Sequence, residues 1–268
     1  MSKFKNYFNK ITNDGRIFSF EDVINWEGVE SVAGIILEPA ITGGGVIVPP
    51  QEYLSKVREI CDRNGVLMIV DEVICGFGRT GKPFGYQNFG VKPDIVTMAK
   101  GITSAYSPLS ATAVKEEIYQ NFAGRGKDQH FRHVNTFGGN PVSCAVALEN
   151  LEIIEREQLI EQSTRLGERL RTQLEVIEGH PNVGDIRSFG LIVGIELVEN
   201  QESKLPASNE KMLQILSECK KRGLIIGRNS DTVPDFNNVL TLCPPFVTTE
   251  EEIDFIANTL IDSLCTIN

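Results

Sequence analysis

Val66-Leu67-Met68-Ile69-Val70 is an unbroken apolar run, and Asp71-Glu72-Val73-Ile74-Cys75-Gly76-Phe77-Gly78-Arg79-Thr80-Gly81 follows it directly. A short apolar run that stops at acidic and glycine residues predicts a strand covered on both faces, the setting of a parallel sheet. Upstream, residues 51–64 place Tyr53, Leu54, Val57, Ile60 and Cys61 on one helical face, and Gly65 supplies the stop. Val32–Leu37 reads as a further buried strand and Asp94–Ala99 as a shorter one. Strand, helix and strand joined by short connections predict an α/β unit with a mostly parallel sheet.

Beyond this unit the pattern changes. Residues 140–178 read as helix, with a break near Glu157–Gln158, and 183–198 hold strand material around Gly190 and Gly194. A helix with Met212, Ile215, Leu216 and Cys219 inward ends at Lys220-Lys221-Arg222-Gly223. Leu224–Ile226 and Val239–Cys243 read as strands. Thr249-Glu250-Glu251-Glu252 has the spacing of a capping box and opens a helix with Ile253, Ile256, Ala257, Leu260, Ile261 and Leu264 on one face. The expected division is therefore 1–21, an N-terminal extension of unclear structure; 22–180, the α/β portion; and 181–268, a smaller α+β domain.

Composition limits the functions open to the chain. Its net charge of −10 over 268 residues argues against a general nucleic-acid binder. No apolar run is long enough for a membrane-spanning helix, and the basic first ten residues lack the apolar core of a secretory signal. The six cysteines form no C-x-x-C pair, so the expectation is a cytoplasmic protein with reduced thiols. His130 and His133 read as loop histidines, and no metal site is expected.

Three segments carry chemistry. Asp71 and Glu72 stand at the carboxyl end of a buried strand, the edge where open α/β sheets bind ligands. Asp71 there either faces a cation, a metal or a protonated ring nitrogen, or it caps the following turn. Lys100 closes the run that ends Met98-Ala99; it either emerges into solvent or is a desolvated amine suited to Schiff-base formation. Asn135-Thr136-Phe137-Gly138-Gly139-Asn140-Pro141 is a glycine turn entering a helix, a geometry that can cradle a phosphate.

Taken together these segments resemble the class III, fold-type I pyridoxal-phosphate aminotransferases. The resemblance begins near Asp22 and includes Ile36-Leu37-Glu38-Pro39, the Gly43–Gly45 turn, Asp71-Glu72, the stretch from Pro93 to Lys100, and Thr136–Pro141. It implies the large domain of that fold, incomplete, followed by a small C-terminal domain. By this resemblance Lys100 would join pyridoxal 5'-phosphate and act as the base that moves the substrate α-proton. Asp71 would keep the pyridine nitrogen protonated, and Val73 would pack on a ring face. Thr136 would reach the phosphate of the partner subunit's cofactor in a homodimer. Glu38 and Glu72 read as structural.

The substrates implied are an amine or ω-amino acid and a 2-oxo acid such as pyruvate. Relatives acting on γ-aminobutyrate or ornithine carry a glutamate about where Gly43 stands and an arginine in the strand before a Pro-Pro pair. Here Val239–Cys243 before Pro244-Pro245 contains no arginine. Arg228 is the nearest match to a mobile arginine that binds the substrate carboxylate, and a plain surface arginine is the equal alternative.

Chains of this family are longer at the N-terminus, so the resemblance implies an N-terminally truncated enzyme. The absent portion carries the main phosphate-binding turn and the aromatic residue that stacks on the ring. Weak cofactor binding, little turnover and an exposed apolar surface that promotes association are expected. The other functions in view are a non-catalytic remnant and a same-fold aminomutase, racemase or decarboxylase.

Overall fold

The computed structural model describes residues 19–124, 126–229 and 237–266. The first sheet has the order β1-β2-β3-β4, formed by β1 (Gly34–Leu37), β2 (Leu67–Asp71), β3 (Ile95–Met98) and β4 (Ala111–Val114). The first three strands are parallel and β4 is antiparallel to β3. Helix α1 (Phe20–Glu27) and α2 (Tyr53–Asn64) accompany them. Leu54, Val57 and Cys61 of α2 pack with Met68 and Val70 of β2, and Gly65 caps the helix at φ 65°. A side chain in that left-handed region is strained, which is why glycine stands there.

Two strand expectations are modified. Met68 and Val70 are wholly buried, whereas Leu67 and Ile69 on the other face of β2 are only partly covered. β1 is the edge of the sheet, and Ile36, in register with Ile69 on the same less-covered face, is 61% exposed.

α3 (Glu116–Gln120) is short. The helical stretch that follows is two helices, α4 (Pro141–Arg156) and α5 (Leu159–Leu174), with Gln158 between them at φ 51°. Asn140 caps α4 by accepting from Val142 N at 3.0 Å, and Pro141 fills the first helical position, where a missing N–H costs nothing.

The second sheet has the order β5-β6-β8-β7 and is antiparallel throughout. Its strands are β5 (Val183–Ser188), β6 (Val193–Leu197), β7 (Gly227–Arg228) and β8 (Val239–Leu242). α6 (Asn209–Lys221) and α7 (Glu250–Leu264) cover it, with Met212, Ile215, Ile253, Ala257 and Leu260 in one core with Leu191, Ile195 and Leu240. Thr249 and Glu252 form the capping box on α7. The strand expected at Leu224–Ile226 is corrected: pairing begins only at Gly227. Leu224 N donates to Cys219 O at 2.9 Å, so the N–H is spent on the end of α6 instead of on a ladder. Among the described residues no helix is long and apolar enough to cross a membrane.

Leu170 of α5 is fully buried in the second core. Leu170→Ala is expected to lower unfolding stability by about 2–5 kcal/mol through lost contact and a residual cavity. Urea unfolding is the measurement, with the midpoint shifted and the slope unchanged.

Candidate active site

β2 and β3 lie side by side with Asp71 opposite Thr97, and Glu72 N donates to Thr97 O at 2.8 Å. Asp71 therefore ends one strand beside the end of its neighbour, and Lys100 follows that neighbour after Ala99. Lys100 opens a single 3-10 turn, Lys100–Ile102, with φ 41°. A non-glycine residue in that region costs about 1–2 kcal/mol, strain fixed by the surrounding fold. The lysine is exposed and Asp71 partly buried.

Asp71 Oδ1 accepts the Val73 N–H at 2.9 Å. The capping reading of Asp71 is thus met by one oxygen. A carboxylate has two, so the turn does not exhaust its capacity to face a protonated nitrogen. Val73 is brought to the same strand end by this bond. Thr136 sits exposed on the turn 135–139, and Arg228 Nη1 donates to Asn209 Oδ1 at 2.7 Å. Among the described residues no hydrogen bond or ion pair joins Thr136 or Arg228 to Asp71 and Lys100.

Glu72 points the other way and is wholly buried. Its two carboxylate oxygens accept from Gly85 N and Tyr86 N, each at 2.8 Å, which ties the loop after β2 back to the strand. Glycine is required at 85 because a Cβ there would lie 2.8 Å from Cys75 Cβ. Burial pushes the Glu72 carboxyl up to about 7; the two N–H bonds oppose this and the Asp71 charge adds to it. Glu38 accepts from Thr42 Oγ1 at 3.3 Å, so both glutamates read as structural hold loops in place.

Two residues were not singled out in the sequence. Arg79 Nη1 donates to Pro244 O at 2.6 Å and to Leu191 O at 3.4 Å, and its guanidinium carbon lies 4.3 Å from the centre of the Phe246 ring. Desolvation lowers its pKa. The available signal was an arginine in a segment, Val73–Pro93, that contains no acidic residue to pair with it. Cys243 is the second. Its side chain keeps an open face, yet neighbouring atoms desolvate the thiol and push its pKa up, while the charges of Arg79 and Lys100 draw it down.

The class-III aminotransferase family model matches residues 5–264. The chain belongs to that family. It is 56% identical over 245 residues to an uncharacterized aminotransferase, YhxA, of Bacillus subtilis, covering 91% of this chain and 54% of that one. It is 46% identical over 239 residues to a taurine–pyruvate aminotransferase of Bilophila wadsworthia, covering 88% and 52%. Among solved structures, a Bacillus anthracis aminotransferase superposes with a TM-score of 0.90 at 57% identity, over 92% of this chain and 55% of that one. An omega transaminase from Pseudomonas jessenii in complex with PMP gives 0.84 at 38%, over 92% and 53%. The chain thus spans about half the length of the curated relatives it matches. The α/β architecture is that of the fold-type I transaminases.

Class-III aminotransferases use pyridoxal 5'-phosphate, and the residues present fit two parts of it. The primary amine of Lys100 suits the aldehyde, and the Asp71 carboxylate suits a protonated ring nitrogen, both at adjacent strand ends.

Glu72 gives the stability of the chain a pH dependence. Its carboxyl takes up a proton at about 7 in the folded protein, against 4.5 for an ordinary glutamate. The folded state therefore holds the proton more tightly, and this contribution is complete below about 4.5 and lost as pH rises to about 7. The loss is on the order of 3 kcal/mol. Glu72→Gln is expected to flatten urea midpoints between pH 5 and 7, while lowering stability throughout because its amide sets a donor against Gly85 N or Tyr86 N.

Proposed function

We propose that this chain provides the lysine-bearing part of a transaminase that moves an amino group from an amine or ω-amino acid to a 2-oxo acid such as pyruvate. The single observation that carries this is Lys100 and Asp71 at the ends of adjacent parallel strands, inside a chain of the class-III family. The named activity of the taurine–pyruvate relative supports the substrate class. Bound pyridoxal phosphate supplies an electron sink for the substrate's α-carbon.

The chain's own residues have separable tasks. Lys100 offers its amine to the cofactor aldehyde and, once free, takes the α-proton. Asp71 holds the proton on the ring nitrogen, with the Val73 N–H fixing the orientation of its carboxylate. Val73 supports a ring face. Thr136 serves the phosphate of a partner subunit's cofactor, and Arg228 turns from Asn209 toward a substrate carboxylate. The homodimer is supported by exposed Tyr106, Phe137, Val142 and Leu148, an apolar surface of the kind that partners cover. A cytoplasmic location is supported by six free thiols.

The division at about residue 180 is supported by the two separate sheets. Packing adds that α5 lends Leu166, Leu170 and Leu174 to the second core, which favours Gln158 as the structural joint.

The test mixes purified chain with pyridoxal phosphate, traps with borohydride and maps the label by mass spectrometry. Labelling at Lys100, abolished in Lys100→Ala with folding retained, is the expected result. No label at saturating cofactor would instead establish a non-catalytic chain. Alanine formation from pyruvate and an amine donor distinguishes transamination from isomerisation or decarboxylation.

A further inference from the structure

β8 ends at Leu242, and Cys243-Pro244-Pro245-Phe246 leads toward α7. Neither proline has an N–H, so this stretch is left mainly with its carbonyls for attachment. Two long side chains from distant segments take them. Arg79 donates to Pro244 O at 2.6 Å. Gln162 Nε2 on α5 donates to Phe246 O at 2.6 Å and reaches Thr248 O at 3.5 Å. Alternate carbonyls are thus held, and the Arg79 guanidinium also covers the Phe246 ring.

We propose that Arg79 and Gln162 are positioning residues, a two-point clamp that sets residues 243–248, with Phe246 packed in one cluster with Ile102 and Met98, along the turn that carries Lys100, and so fixes the second sheet's contribution to the active site. The anchor is itself fixed. The Arg79 carbonyl accepts from Leu191 N at 3.0 Å and from Ser163 Oγ at 3.2 Å. A desolvated guanidinium without a carboxylate is a poor way to fill space, since an apolar chain of similar length avoids the desolvation cost. Its Nη1 reaches both carbonyls while the planar guanidinium lies on the Phe246 ring, a flat stack that neither lysine nor methionine supplies. This inference rests on Lys100 being the site's amine, but its test needs no cofactor, so the two fail separately.

Cys243 is the reporter and exposed Cys265 the internal reference. Site-resolved iodoacetamide labelling of the whole chain across pH gives a plateau rate, which reads access, and a midpoint, which reads local charge. Arg79→Gln and Gln162→Ala are each expected to raise the Cys243 plateau about fivefold, the worth of one net hydrogen bond, with Cys265 unchanged. Arg79→Gln is also expected to move the midpoint upward. Arg79→Lys keeps the charge but loses the planar stack on Phe246, so it retains the wild-type midpoint with an intermediate plateau. A merely space-filling role would not separate these readouts. If Arg79→Gln also labels buried Cys61 and Cys219, it has unfolded, and Gln162→Ala decides. Unchanged Cys243 plateaus overturn the clamp, and a rise in one variant alone overturns its two-point form.

Discussion

The pairing of β2 with β3 is the constraint on which the site depends. Parallel register sets Asp71 opposite Thr97, so that whatever leaves β3 emerges next to Asp71. The other end of the pair is fixed by Asp94, whose N–H donates to Met68 O at 2.8 Å and whose carboxylate accepts from Met68 N, Arg58 and Lys115, each within 2.7 Å. Those partners overcome the burial that would raise the Asp94 carboxyl and hold it low instead. A slip of one residue in this register would turn every side chain on the strand over, putting Asp71 on the wrong face. The chemistry at one edge of the sheet is therefore secured by an ionic network at the opposite edge.

Much of this was legible in the sequence because it rests on short-range rules. Apolar runs gave β2 and β3, Gly65 gave the end of α2, and the Thr249–Glu252 spacing gave the start of α7. The break between α4 and α5 also fell where expected, at Gln158. What stayed hidden was non-local. The exposure of Ile36 on β1 depends on what packs over its face of the sheet, and its apolar composition carries no such information. Leu224–Ile226 has strand composition, but its first N–H is claimed by α6, a competition that composition does not record. The acceptors of Arg79 were hidden for the same reason, since they lie more than a hundred residues away.

Membership of the class-III family and the geometry bear on different questions. The match over residues 5–264 says which family the chain belongs to. The geometry says how they are held: Asp71 by the turn it caps, Lys100 by a strained backbone that presents its side chain to the open edge. Neither residue depends on the other for its position.

The loop after β2 shows a consistent solution to burying charge. Glu72 and Arg79, an acid and a base, are both desolvated, yet they are not paired with each other. Glu72 is satisfied by two backbone N–H groups and Arg79 by two backbone carbonyls. An ion pair between them would have met the desolvation cost with a single contact and tied the loop only to itself. Using backbone partners instead, the carboxylate fastens residues 85 and 86 to β2, and the guanidinium fastens residues 191 and 244 to the same loop. One loop thereby joins the first sheet to the second.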